Sequence, residues 1–491
     1  MRRDDLALSD LAARARTGTH AMLATRVLAV LSTAVSIAIL PRLIPPADFG
    51  VWAMAALGFG ALTIVRHFGL VACIAQAPTL TPRQQDAYFW ASVWLSFGSA
   101  ALLALAAPLI ARFYDTPLLE PVAWVLSLVL IIEGLGFVQT ALLRRELRYD
   151  KVALIEGGGI VLTLATTVIC AVLWRDVWAL VAGQVVYAIW TTIAAAAVHG
   201  RVPGRPRLES GGINFRFSLQ LTSYNVVTYL ANNIGLVAGY RLGAMQLGFF
   251  SRAQQFFHLA HQSLLAPVTE VALSLLCRLR AEDEYRRAYV AMARRAWLLV
   301  LPLALTLPVI AQDLILCLLG EAWLPAAPVL AWFGLAIIAR GFGSLFAQLL
   351  TSQQRGSELH RWSVADLALR AAGAFAGSPF GVVGIAAGFS LVGFFVTLPC
   401  MAAIAGRSGP VKLRDQLAAV WPAAVVGAVS ALAAGLALFG AGQAGMGAGW
   451  LRFAIVGTAA AGAGAIATCA IPAARQALLG TGIAAALPAA R

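Results

Sequence analysis

The sequence predicts an all-α integral membrane protein of about 14 transmembrane helices, arranged as two six-helix lobes related by a parallel pseudo-two-fold repeat, with two extra C-terminal helices. Three observations carry this. Of the 491 residues, 60% are hydrophobic and only 12% are charged, and mean hydropathy is +0.81. A soluble domain carries about 25% charged residues, so lipid must solvate much of this surface. The same figures exclude a disordered chain, which is rich in charge and poor in large apolar groups. The apolar residues also gather in runs of about 20, the length of helix that crosses hydrocarbon, and they lack the alternation of a barrel strand. Finally, Lys and Arg are segregated to alternate connections, as the positive-inside rule requires.

The runs fall at 20–41, 49–73, 88–111, 122–143, 152–174, 177–198, 217–240, 249–276, 296–319, 325–350, 362–379, 380–404, 416–439 and 448–471. Only Gly377 to Gly381 separates the eleventh from the twelfth. With the N-terminus in the cytosol, the outer connections hold only Arg42, Arg112, Arg175 and Arg241, while most of the 36 basic residues lie in cytosolic connections and tails. A miscounted helix would scramble that alternation, so it supports both the fourteen spans and two cytosolic termini. Trp52, Trp174, Trp178, Trp323, Trp362 and Trp450 sit near span ends, where interfacial anchors belong. Residues 1–19 read as a basic cytosolic tail without the cleavage pattern of a secretory signal. The lobes are expected at 20–199 and 217–405, joined by a cytosolic linker at 200–216. Spans 13 and 14 occupy 406–471, and 472–491 is a cytosolic C-tail.

The repeat is legible in short pieces. Arg42-Leu43 followed by Phe49-Gly50 returns as Arg241-Leu242 followed by Leu247-Gly248. Val177-Trp178-Ala179-Leu180-Val181-Ala182-Gly183 returns as Val382-Val383-Gly384-Ile385-Ala386-Ala387-Gly388. The spacing joins span 1 to 7 and span 6 to 12. Six spans per lobe is an even number, so both lobes insert with the same orientation.

The net charge of +14 would suggest nucleic acid in a soluble protein. Here the basic residues fall between apolar runs, so topology and anionic membrane lipids account for them, and no nucleic-acid partner is expected. The six cysteines have neither CxxC nor metal-ligand spacing and read as small buried hydrophobes. No metal is expected. There is no Walker A, HExxH or GxSxG sequence, and no connection is long enough for a catalytic domain. Gly157-Gly158-Gly159 lies inside a span, where close helix packing is the favoured reading. His258 and His261 read as packing or polar-cavity residues, since a metal would need more ligands.

Charge inside the membrane is what remains, and it normally faces a cavity or a partner. Arg66 and Arg340 lie deepest and have no obvious local partner, so they are candidates to line a substrate cavity, with Arg252 near the outer end of span 8 and Arg26 near the inner interface. Arg26 and Arg452 can equally snorkel, and Asp313 and Glu156 can be interfacial. Asp366 and Arg370 have the spacing of an internal ion pair. With Glu133 and Glu270 they are also the candidates for coupling or gating. Through the repeat, Glu133 corresponds to the position beside Arg340, which suggests a pair made in one state and broken in another. Asn225, Asn232 and Asn233 give span 7 a polar face that fits a cavity or helix–helix hydrogen bonds. Two six-helix lobes with no nucleotide site suggest alternating access, and buried arginine without a matching acid suggests an anionic cargo. Arginine offers phosphate a permanently charged fork, so a lipid-linked phosphate or diphosphate is the demanding case.

Leu40-Pro41-Arg42-Leu43-Ile44-Pro45-Pro46-Ala47-Asp48-Phe49-Gly50, Ala141-Leu142-Leu143-Arg144-Arg145-Glu146-Leu147-Arg148-Tyr149 and Arg241-Leu242-Gly243-Ala244-Met245-Gln246-Leu247-Gly248-Phe249-Phe250-Ser251-Arg252-Ala253 resemble the Wzx-type oligosaccharide flippases. That is the polysaccharide transporter family of the MOP superfamily, related to MATE and lipid II flippases. The resemblance covers about residues 20–405. It implies two six-helix lobes around a V-shaped cavity lined by spans 1, 2, 7 and 8, which matches Arg26, Arg66 and Arg252. It further implies flipping of an undecaprenyl-diphosphate-linked oligosaccharide to the periplasmic leaflet of a bacterial inner membrane, for exopolysaccharide, capsule or lipopolysaccharide synthesis. H+ or Na+ is then the candidate coupling ion, with no other cofactor, and a polysaccharide polymerase and export machinery are the candidate partners. Where the family pattern has an acidic residue near the end of span 7, this chain has Asn232 and Asn233, so a coupling role there does not carry over. A cation-coupled drug exporter, a lipid II flippase and, last, a membrane polymerase or ligase are the competing readings.

Overall fold

The computed structural model describes residues 3–77, 80–200, 204, 215–265, 268, 275–277, 279, 281–407 and 409–478. The described residues form helices and no strand. The helices are α1 (Arg3–Leu43), α2 (Pro46–His67), α3 (Leu70–Gln76), α4 (Pro82–Phe113), α5 (Leu119–Arg145), α6 (Tyr149–Trp174), α7 (Trp178–His199), α8 (Phe215–Ala238), α9 (Ala244–Ala260), α10 (Glu282–Leu318), α11 (Ala327–Ser352), α12 (Gly356–Gly377), α13 (Gly381–Val392), α14 (Leu398–Arg407), α15 (Leu413–Gln443), α16 (Trp450–Ala470) and α17 (Pro472–Leu478). Among the described residues, eleven helical stretches are long and apolar enough to cross a membrane, and one of them, Gly356–Arg407, contains the expected spans 11 and 12. The expected spans 7 and 8, α8 and α9, fall outside that set. Asn225, Thr228, Asn232 and Asn233 dilute α8, and α9 has 17 residues before a π-turn at His261–Leu265.

Leucine and isoleucine point outward along these helices. Leu105 is 76% exposed and Ile466 73%, a surface that only lipid tolerates in such quantity. The same reason corrects the cysteine reading. Cys73 and Cys317 are buried, but Cys277, Cys400 and Cys469 are exposed. Trp323 also differs from its expected role as an interfacial anchor. It is fully buried and meets the Phe249 ring edge-on at 5.9 Å.

The chain folds into two compact units, one of Met1–Asn233 with Gly243–Gly248 and one of Ile234–Leu242 with Phe249–Arg491. In the first, α4 packs on α5, α6 on α7, and both α1–α6 and α5–α7 are extensive seams. Gly158 lies under Trp190 and Gly159 under Tyr187, so the glycine triplet serves helix packing. The first part of α8 belongs here because Tyr229 Oη donates to the Ala56 carbonyl at 3.0 Å and Ser218 Oγ meets Cys73 Sγ at 3.3 Å. In the second unit α10 packs on α11, α15 and α16, and α12 on α13. Between α12 and α13 the turn runs through a 3₁₀ segment, Ser378–Phe380, and Gly373 and Gly377 face Gly388 and Gly384 backbone to backbone.

α4 begins with a reciprocal cap. The Gln84 backbone N–H donates to Thr81 Oγ1 at 3.3 Å and the Thr81 N–H donates to Gln84 Oε1 at 2.9 Å. Thr81→Ala should lower stability by about 1 kcal/mol and raise amide exchange in the first turn of α4 alone, measured by hydrogen–deuterium exchange.

Candidate functional site

The sequence of α5 decides where its carboxylate goes. Gly134 lies against Ser96 of α4, and a side chain at Gly136 would sit 2.7 Å from Thr192 Cα of α7. These two faces let the helices close in, and Thr192 Oγ1 donates to the Ile132 carbonyl at 2.7 Å. Glu133 is thereby turned toward α2 and α7. Arg66, in the last turn of α2, donates from Nη2 to Glu133 Oε2 at 2.9 Å, and Gln184 Nε2 of α7 donates to Glu133 Oε1 at 3.2 Å. Arg66 is 3% exposed and Glu133 12%.

Arg66 Nη2 also lies 3.2 Å from His67 Nε2, which must accept, so the ring proton sits on Nδ1. His67 stacks on Phe137 at 4.4 Å, and the Arg66 guanidinium lies 5.8 Å from the same ring, in the range of a cation–π contact. Arg144 of α5 pairs with Glu156 of α6. These groups line a cavity of about 470 Å³ with Thr63, Thr140, Tyr187 and Thr191. Arg66 Nε and Nη1 are buried without a hydrogen-bond partner among the described residues, an arrangement that costs roughly 1–3 kcal/mol or more for a charged group.

The sequence reading left Arg66 without a partner, and the structure corrects this. The partner stands 67 residues away on another helix, beyond any helical spacing rule, and both Glu133 oxygens are engaged inside the first unit. His67, Phe137, Arg144, Gln184 and Tyr187 were missed as site residues. A lone glutamine in the apolar run of α7 was the one readable signal among them. Arg26 is exposed on α1 and does not line this cavity. Asn225 is exposed, and Asn233 Nδ2 donates back to the Tyr229 carbonyl of its own helix at 2.9 Å. Glu270 lies outside the described residues.

In the second unit, Arg252 is buried and donates to Gln255 Oε1. Arg340 is half-buried on α11. Asp366 and Arg370 form the internal pair their spacing suggests, Nε to Oδ1 at 2.8 Å. Arg370 also donates to Thr397 Oγ1 at 3.3 Å and lies 5.0 Å from the Phe389 ring. Asp313 and Arg452 meet each other across two helices. Arg452 Nε and Nη2 fork onto Asp313 Oδ1 at 2.9 and 2.7 Å, and Asp313 is 1% exposed. No group of three or more metal-ligating side chains occurs among the described residues.

Stacked helices of this length and apolarity define an all-helical, multi-pass membrane protein. The solved structure entitled "Lipid II flippase MurJ, inward closed conformation" matches with a TM-score of 0.70 at 10% identity, over 92% of this chain and 98% of that one. A MATE crystal structure matches with a TM-score of 0.50 at 15% identity, over 80% and 96%. The family model described as "Polysaccharide biosynthesis protein" matches residues 39–328, and the chain belongs to that family. Among relatives, "Lipopolysaccharide biosynthesis protein WzxC" of Escherichia coli (strain K12) is 24% identical over 74% of this chain and 75% of its own length. "Teichuronic acid biosynthesis protein TuaB" of Bacillus subtilis (strain 168) is 25% identical over 68% and 71%.

Proposed function

We propose that this protein is a transporter that flips an undecaprenyl-diphosphate-linked oligosaccharide from the cytosolic to the periplasmic leaflet of the inner membrane by alternating access. The flipped oligosaccharide supplies exopolysaccharide, capsule or lipopolysaccharide assembly, with a polymerase and export machinery downstream and an ion, H+ or Na+, as the coupling partner. The family supports the pathway, and the relatives' names support a saccharide cargo. The segregation of Lys and Arg supports cytosolic termini. The observation that carries the reading is Arg66. It is a buried guanidinium with two unpartnered donor nitrogens in a cavity lined also by the hydroxyls of Thr63, Thr140 and Thr191 and the rings of Phe137 and Tyr187, groups suited to a saccharide.

Deleting the gene in its host should leave lipid-linked oligosaccharide on the cytosolic side and remove surface polysaccharide. Wild type should rescue, and Arg66→Ala or Arg340→Ala should not. Normal polysaccharide with raised sensitivity to cationic dyes would overturn the reading in favour of drug export.

A further inference from the structure

The cavity of the first unit is electrically balanced. Two cations, Arg66 and Arg144, face two carboxylates, Glu133 and Glu156, across about 470 Å³. Among the described residues, the charged or titratable groups that line the cavity beside Glu133 are Arg66 and His67 from α2, Arg144 from α5, Glu156 from α6 and Tyr187 from α7, and Ser92 and Ser96 of α4 lie behind Gly134. His67 Nε2 accepts from Arg66 and is therefore unprotonated. An anionic group entering this cavity adds an uncompensated charge where the surroundings are poorly polarisable, and that costs several kcal/mol. Yet the buried, unpartnered Nε and Nη1 of Arg66 call for an acceptor.

We infer that the cavity takes one anionic group of the cargo, a sugar carboxylate or a carrier phosphate, together with one proton that settles on Glu133. This rests on the flippase reading for what the cargo is. The hydrogen bonds fix which oxygen is protonated. Gln184 Nε2 donates to Oε1, which keeps that oxygen as the carbonyl, so the proton goes to Oε2, the oxygen that holds Arg66. A neutral Glu133 ceases to compete for the guanidinium, and the cargo's anion replaces it. For a group that enters as a monoanion, the charge of the cavity is the same before and after. The proton comes from bulk water and no covalent bond other than O–H is made.

Calorimetric titration of the full chain in phosphatidylcholine nanodiscs, in buffers of different ionisation enthalpy, reads the proton directly. The probes are methyl glucuronide and farnesyl phosphate, with methyl glucoside as the neutral control. We expect about one proton taken up per anion bound and affinity falling about tenfold per pH unit above neutrality. Glu133→Gln, which mimics the protonated acid, should bind the anion with no proton uptake and no pH slope. Arg66→Gln should lose binding. Binding of glucuronide but not farnesyl phosphate assigns the anion to the sugar, and the converse assigns it to the carrier. Anion binding by wild type without proton uptake, proton uptake that survives Glu133→Gln, or no binding of either anion overturns the inference. None of these readouts requires flipping. A deletion strain with normally placed oligosaccharide would overturn the flippase reading and leave this result standing.

Discussion

Gly50→Val should cost about 3 kcal/mol or more, and Gly248→Val the same. Gly50 in α2 lies against the Ala244 carbonyl at the start of α9, and Gly248 lies against the Pro46 carbonyl at the start of α2. A side chain at either position would land on a backbone oxygen that no rotamer change can move. Overpacking usually costs about 1–3 kcal/mol, and contacts with fixed backbone belong at the upper end. Both contacts lie where the start of α2 meets the start of α9. The double variant should therefore cost less than the sum of the singles by roughly 0.5–3 kcal/mol, because parting the seam for one valine makes room for the other. Thermal unfolding of the four proteins in one detergent measures this. Full additivity would mean that the two contacts are independent.

That seam was half legible. The repeated Phe49-Gly50 and Leu247-Gly248 are visible in the chain, but nothing in the spacing says that the two copies touch each other. The spans were legible because twenty apolar residues are a local property of the chain, and Asp366–Arg370 because a four-residue spacing is local too. Arg66–Glu133 and Asp313–Arg452 were not, since each partner lies on a helix far away in sequence and only packing selects it. Trp323 failed for a related reason. Its place near a span end suggests an anchor, whereas the 3₁₀ turn at Glu321–Ala326 rotates it onto Phe249. The apolar runs at 217–240 and 249–276 read as spans, whereas the polar residues of α8 and the shortness of α9 leave both outside the set of helices apolar and long enough to cross.

Arg452→Gln should be among the most damaging single changes, at roughly 3–5 kcal/mol, and Asp313→Asn should be milder. Neither charge suits its own helix. Asp313 lies in the last turns of α10, where the helix dipole disfavours an anion, and Arg452 in the first turn of α16, where it disfavours a cation. Each is held by the other, through a fork of the kind guanidinium and carboxylate form best. Breaking a buried pair strands the survivor, and the survivors differ. Asp313, 2% exposed in its side chain, has nowhere to go once Arg452 is removed, while Arg452, at 15%, can reach toward the helix end. The pair ties α16 to α10 beside a cleft of about 310 Å³ between α10, α15 and α16, lined by Leu298, Thr306, Ser430 and Gly464. Its loss should therefore loosen the C-terminal hairpin before the rest, seen as faster proteolysis at Gly445–Gly449 with the first unit intact. Asp313→Leu combined with Arg452→Met should recover most of the stability, since apolar replacement of a buried ion pair is close to neutral. A double variant as unstable as Arg452→Gln would show that the pair contributes more than its own mutual neutralisation.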